Sequence, residues 1–159
     1  MSEQKPSYIM DLEAIYGSPS QKAFGTAVFF ESIKTGDLKQ RALDKYRYFV
    51  GELWDKYGED AWLGPWKEVC ARTLGETGDI VKELRTVSDR DARGSISMFL
   101  EVIENPENTY SALHNAFDDE EVTELLVYNI GDSGAMSGIL IADWRKKTHE
   151  ATFLFFLMD

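Results

Sequence analysis

Cysteine is nearly missing from this sequence: Cys70 is the only one among 159 residues. That excludes an intrachain disulfide and any cysteine-rich zinc site, and it suits a reducing compartment. Long apolar runs are missing as well. The longest, FLFFLM near the C-terminus, is far short of the ~20 residues a spanning helix needs. The opening MSEQKPSYIM has no basic stretch followed by an apolar one, so no secretion signal is expected and the expected location is the cytoplasm.

Basic residues are absent from one long stretch. From Gly94 to Trp144 there is no Lys or Arg, while ten acids fall there: Glu101, Glu104, Glu107, Asp118, Asp119, Glu120, Glu121, Glu124, Asp132 and Asp143. Residues 1–50, by contrast, carry seven bases and six acids. The net charge of −11 argues against binding a nucleic-acid backbone, which needs clustered cations. A field of one sign keeps a chain soluble and steers basic partners toward it. The chain is 43% hydrophobic and 13% aromatic, enough to bury a core without metal or disulfide staples.

The expected fold class is α+β: about five helices over 18–117 packed on a three-stranded antiparallel β-meander over 122–158. Residues 1–8 read as a flexible tail and 9–159 as a single domain, with a short helix over Tyr8 to Tyr16. Ser18-Pro19-Ser20-Gln21 reads as a capped helix start, followed at near-helical spacing by Ala23, Phe24, Ala27, Val28 and Phe30, with Gly36 as the stop. Asp37 caps the clearest helix, whose apolar face runs through Ala42, Tyr46, Phe49, Val50, Leu53 and Tyr57 to Gly58. Pro65 opens another, with Trp66, Val69, Cys70, Thr73 and Leu74 inward, and Asp79 restarts one through Ile80, Val81, Leu84 and Val87. Ser88 to Asp91 form a capping box before Ala92, Ile96, Phe99, Leu100 and Ile103, although SISMFLEVI also alternates as a strand would. Asn105-Pro106 caps the last helix, which bears Tyr110, Leu113 and Phe117.

The pattern then changes period. VTELLVYNI, SGILIADW and ATFLFFLM are rich in β-branched and aromatic residues and are separated by turn chemistry. These strands are apolar on both faces, with Leu125 and Val127 on one and Leu126, Tyr128 and Ile130 on the other. A half-solvated sheet would alternate apolar with polar. Either the helices wrap both faces, or a second copy of the chain covers one in a homodimer built through the sheet.

GDSG at 131–134 has the form in which trypsin-like proteases present a serine nucleophile. Such chemistry needs a histidine, an orienting aspartate and a double barrel of many strands. Asp-Ser-Gly between two apolar runs is what a tight hairpin wants, so Ser133 reads as a turn residue. Gly138, inside the following run, signals a bulge or a close backbone approach. GETGD is no phosphate loop, because it lacks both the Walker lysine and a preceding strand.

His114 precedes Asp118 by one helical turn, so the two share a face that suits a divalent metal, with Glu120 or Glu121 assisting; the plain alternative is a helix-end histidine beside solvated acids. Cys70 on an inward face reads as an inert small hydrophobe, and a Cys70–His114 couple is the less ordinary reading. Trp54, Trp62 and Trp66, with Cys70, mark the place for a ligand pocket, although aromatics at helical spacing usually form core. His149, in RKKTHE, reads as a loop residue.

No catalytic set and no cofactor motif emerges. The leading expectation is a small acidic interaction or regulatory module, of the inhibitor or immunity type, meeting a basic protein surface through Glu107, Asp118, Asp119, Glu120 and Glu121. A small-molecule binding or sensory domain with the aromatic pocket is the alternative. An enzyme using His114 and nearby carboxylates comes third.

Overall fold

The computed structural model describes residues 5–21, 24–34, 37–72, 78–101 and 106–158. Residues 1–4 of the expected tail lie outside them, as do Ala23, Gly36, Thr73, Leu74, Ile103 and Asn105, each of which has a place in the sequence reading. In chain order the elements are α1 (Ser7–Tyr16), β1 (Gly25–Ser32), α2 (Leu38–Val50), α3 (Glu52–Tyr57), α4 (Glu59–Leu63), β2 (Lys67–Arg72), α5 (Ile80–Arg85), α6 (Arg90–Glu101), α7 (Pro106–Phe117), β3 (Glu124–Gly131), β4 (Ser137–Arg145) and β5 (Glu150–Met158). No helix among the described residues is long and apolar enough to cross a membrane.

The fold is α+β, and its sheet has five antiparallel strands rather than three, in the order β1-β5-β4-β3-β2. The expected meander, β3-β4-β5, forms the centre, and the edge strands come from the half of the chain that reads as helical. Around Phe24 to Phe30 the expected helix is β1, which pairs Gly25 with Leu157 and Ser32 with Glu150. Apolar β5 is bounded by strands on both sides, which a three-stranded meander could not provide. The expected helix opened by Pro65 is β2, running from Lys67↔Asn129 to Arg72↔Leu125. A register shift between Glu68 and Cys70 puts Val69 and Cys70 against the same core. A regular strand would send them to opposite faces, so the bulge imitates a helical spacing of apolar residues.

Helices cover both faces. One core joins α1, α5, α6 and α7 to Leu125, Val127, Ile139, Ile141, Leu154 and Phe156. The other joins α2, α3 and α4 to Leu126, Tyr128, Ile130, Leu140, Phe153 and Phe155. The apolar strand faces are therefore buried within one chain, and β5 lies between β1 and β4 instead of at an edge. Both sheet faces carry helices, so covering them does not require a second copy of the chain. At the β1 edge, Val28 N donates to Gly17 O at 3.0 Å and Thr26 Oγ1 to Tyr16 O at 2.6 Å. The bulge and the charged Lys67 and Glu68 mark the other edge.

Several local readings hold. Asp37 accepts from Gln40 N at the start of α2, and Asp79 accepts from Lys82 N at the start of α5. Residues 95–101 are helix, with Ala92, Ile96 and Phe99 buried. The cap of α6 is Asp89, which accepts from Ala92 N at 3.0 Å, not Ser88. Gly51, at φ +66°, divides the single helix expected from Asp37 to Tyr57, and GEDAWLG contains α4 rather than a loop. At the GDSG hairpin Ser133 itself takes the positive φ of 68°, while Asp132 Oδ1 accepts from Gly134 N and Met136 N. Ser133 Oγ donates to Ala61 O at 2.6 Å, tying the turn to α4. Gly138 sits where a Cβ would lie 2.8 Å from Leu157 Cα, a close backbone approach with no break in register.

Candidate functional site

A helix C-terminus leaves its last four carbonyls without intrahelical donors. At the end of α7 two nearly buried arginines meet that need. Arg72 Nη1 donates to Phe117 O at 2.5 Å, and Arg145 Nη2 donates to Asn115 O at 3.2 Å and Ala116 O at 3.0 Å. Each also pairs with an acid just past the helix: Arg72 with Asp118 at 2.9 Å, Arg145 with Asp119 at 3.8 Å. Glu83 of α5 takes the rest of the Arg72 guanidinium, accepting from Nε at 3.2 Å and pairing with Nη2. The Arg145 guanidinium lies 3.8 Å over the Tyr8 ring, and the Tyr8 hydroxyl donates to Glu150 at 3.2 Å.

Beside Arg145 on β4, Asp143 is fully buried. Its Oδ1 accepts from Thr152 N at 3.1 Å, whereas Oδ2, Thr152 Oγ1 and Arg145 Nε have no partner among the described residues. Burial pushes the Asp143 carboxyl up to about 7, against the opposing pull of Arg145.

On the α5 side, both oxygens of Asp118 accept from Ile80 N, at 2.9 and 3.1 Å, so this carboxylate also serves the N-terminus of α5. His114 Nδ1 contacts Asp118 Oδ2, as their spacing implies, and stands 4.0 Å from Asp79 Oδ1. Asp79, which the sequence reading used only as a cap, thus joins His114 and Asp118. Glu120 and Glu121 do not belong to that group.

The five acids expected to meet a partner do not form one free surface. Asp118 is engaged by Arg72 and its side chain is only 10% exposed. Asp119 faces Arg145, and Glu121 is 3.9 Å from Lys147 of the β4–β5 turn. Glu120 is exposed without an ion pair among the described residues, and so is Glu107, but Glu107 opens α7, ~16 Å along the helix from its other end.

The four pocket residues are divided by the sheet. Trp54 and Trp62 are buried against each other and Tyr46, and Trp62 Nε1 donates to Leu53 O at 3.0 Å. Trp66 is half-buried and lies between Tyr46 and Tyr128, with ring centroids at 5.1 and 4.1 Å. It lines an open groove of about 410 Å³ whose charged residues are Asp37, Lys39, Lys67 and Glu68 and whose wall includes Tyr128. Cys70 packs against the opposite core, and its thiol is pushed up by burial and by Glu83, away from thiolate reactivity. His149 is an exposed turn residue whose carbonyl accepts from Ile33 N at 2.7 Å.

An acidic face that the sequence reading passed over lies on α3 and α4. Glu52, Asp55, Glu59 and Asp60 are exposed, and none has an ion pair among the described residues. Tyr57, 50% exposed, stands among them with its ring stacked on Trp62 at 6.1 Å. The alternation GELWDKYGEDAWLG carries the signal: the two tryptophans go inward, so the acids and Tyr57 point out. Arg72, Arg145 and Asp143 were also missed, since each looks like surface or ordinary strand until its distant partners are in place. Compared with known proteins, the chain matches no family model, no curated protein and no solved structure.

Proposed function

We propose that this protein works by contact: a small acidic interaction or regulatory module, of the inhibitor or immunity type, that engages a basic surface on a partner protein. The observation that carries this reading is the α3–α4 face. Four exposed carboxylates with no ion pair among the described residues share these two short helices with a half-exposed tyrosine stacked on buried Trp62. One lysine lies there too, Lys56, whose ammonium is 5.9 Å from the Tyr57 ring centroid. A net negative face, four acids against Lys56, accelerates encounter with a basic partner and an aromatic anchor supplies affinity, which is how many tight interfaces divide the work. Glu107 and Glu120 are exposed too, but they belong to α7 and the turn after it, which packs on the opposite face of the sheet, while Asp118, Asp119 and Glu121 are paired with the chain's own cations.

The test pairs charge reversal with anchor removal. Capture from the native host should yield a basic protein whose binding falls with Glu59→Lys/Asp60→Lys, with Tyr57→Ala and with salt raised to about 0.5 M. Both variants should keep the wild-type circular dichroism. An unchanged partner profile with both variants overturns the reading.

The groove beside Trp66 supports a second reading, a site for a small planar ligand. Trp66 offers a half-buried ring there, and the Tyr128 hydroxyl next to it is buried with no partner among the described residues, while the bordering Lys39 and Lys67 are already paired with Glu68 and Asp89. Quenching of tryptophan emission by a metabolite panel, lost with Trp66→Leu, would favour this reading over the first; a silent panel would remove it.

A further inference from the structure

We propose that Asp79, His114 and Asp118 form a binding site for a divalent first-row transition metal such as zinc, at the junction of α5 and α7. One ligand atom from each lies within 4.8 Å of the other two. The three come from separate turns of structure: Asp79 from the start of α5, His114 from the last turn of α7, and Asp118 just past its end. One imidazole with two carboxylates suits zinc and its neighbours, whereas calcium and magnesium prefer all-oxygen shells. In a tetrahedral zinc site, ligand atoms stand ~3.3 Å apart, so the 4.0 Å between His114 Nδ1 and Asp79 Oδ1 has to close by ~0.7 Å. Asp79 is half-exposed and can make that adjustment by side-chain rotation. His114 Nδ1 and Asp118 Oδ2, now in direct hydrogen-bond contact, have to part to admit the ion.

The surroundings support the ligands as well as the ion. Metal-binding carboxylates are commonly fixed by outer hydrogen bonds. Arg72 holds Asp118 Oδ1 and Ile80 N bridges both oxygens, which fixes the carboxylate with Oδ2 against His114. Lys82 N holds Asp79. Two carboxylates, Glu83 and Asp118, share the single Arg72 guanidinium, and the carbonyl end of α7 adds negative potential. His114 is 41% exposed and Asp79 52%, so an ion can enter and water can complete its coordination. Once bound, the metal ties α5 to α7.

This inference stands apart from the contact function, because it uses none of the α3–α4 residues. Chelator-treated protein is titrated with zinc sulfate, read by calorimetry and by thermal unfolding. Wild type should bind one zinc and gain several degrees in Tm at saturation, while millimolar magnesium leaves Tm unchanged. His114→Ala should weaken zinc binding at least about tenfold, Asp79→Asn should weaken it measurably, and His149→Ala should not alter it. His114 is partly exposed, so metal-free circular dichroism of its variant should match wild type; His114→Gln repeats the test if it does not. Absence of zinc binding by wild type overturns the site, as does zinc binding that survives the loss of His114 or is indifferent to Asp79.

Discussion

Arg72 and Arg145, one from an edge strand and one from a central strand, close the same helix end from two sides. Arg72 takes Phe117 O and Arg145 takes Asn115 O and Ala116 O. Acids past a helix C-terminus oppose its dipole, and here each arginine answers one of them. Arg72→Met leaves Asp118 and Glu83 facing each other without their cation. It should cost about 3–5 kcal/mol, the usual penalty for breaking a buried pair from one side. Urea unfolding measures it, and a loss under about 1 kcal/mol would mean the pair is solvated.

Asp143 predicts a pH dependence. In an unfolded chain an aspartate titrates near 3.9, whereas burial raises the folded value to about 7. Between these limits the folded protein holds a proton that the unfolded chain has released. Stability therefore falls as pH rises through that window, by something on the order of 4 kcal/mol from this group. Asp143→Asn should be more stable than wild type at pH 8 and lose the difference near pH 4. Parallel stability profiles for the two proteins would refute the assignment.

Two glycines should respond oppositely to alanine. At Gly138 a Cβ would run into Phe156 O and the β5 backbone, which cannot yield without opening the centre of the sheet. Gly138→Ala should cost upwards of ~3 kcal/mol or prevent folding. Gly94 lies exposed within α6 with nothing within 4 Å of its added Cβ. Gly94→Ala should therefore stabilise by ~0.5–1 kcal/mol. Thermal unfolding of both variants checks the pair.

The Tyr46 hydroxyl joins three elements. It accepts from Gly131 N at 3.1 Å and lies 2.9 Å from the carbonyls of both Trp62 and Gly131, so α2, α4 and the end of β3 meet there. Tyr46→Phe leaves a buried amide and a buried carbonyl short of partners and should cost ~1–3 kcal/mol. Because Trp54 and Trp62 pack against the same ring, tryptophan emission should report the change. A variant as stable as wild type would show that this junction is not held by the hydroxyl.

The candidate sites were legible in part. The His114–Asp118 spacing is a one-turn relationship, so the sequence displays it; Asp79 joins only because α5 packs its N-terminus against the end of α7. Conversely, the run Asp118 to Glu121 looks free in sequence, because nothing there reveals that Arg72, 46 residues away, and Arg145 will fold onto it. The tryptophans looked like one cluster with Cys70 because sequence neighbours share a local pattern, and the β2 bulge turned Cys70 to the other side of the sheet.

Local rules were sufficient wherever an element's cause lies within a few residues: the caps at Asp37 and Asp79, the period of α6 and α7, the hairpin at Ser133, and the two apolar faces of β3 to β5. The tertiary structure alone decided that Gly25–Ser32 and Lys67–Arg72 are strands. Their backbone partners, Glu150–Leu157 and Leu125–Asn129, lie over fifty residues away. Pairing with an apolar strand already in place outweighs a helical preference of a few tenths of a kcal/mol per residue, and no local window contains that competitor.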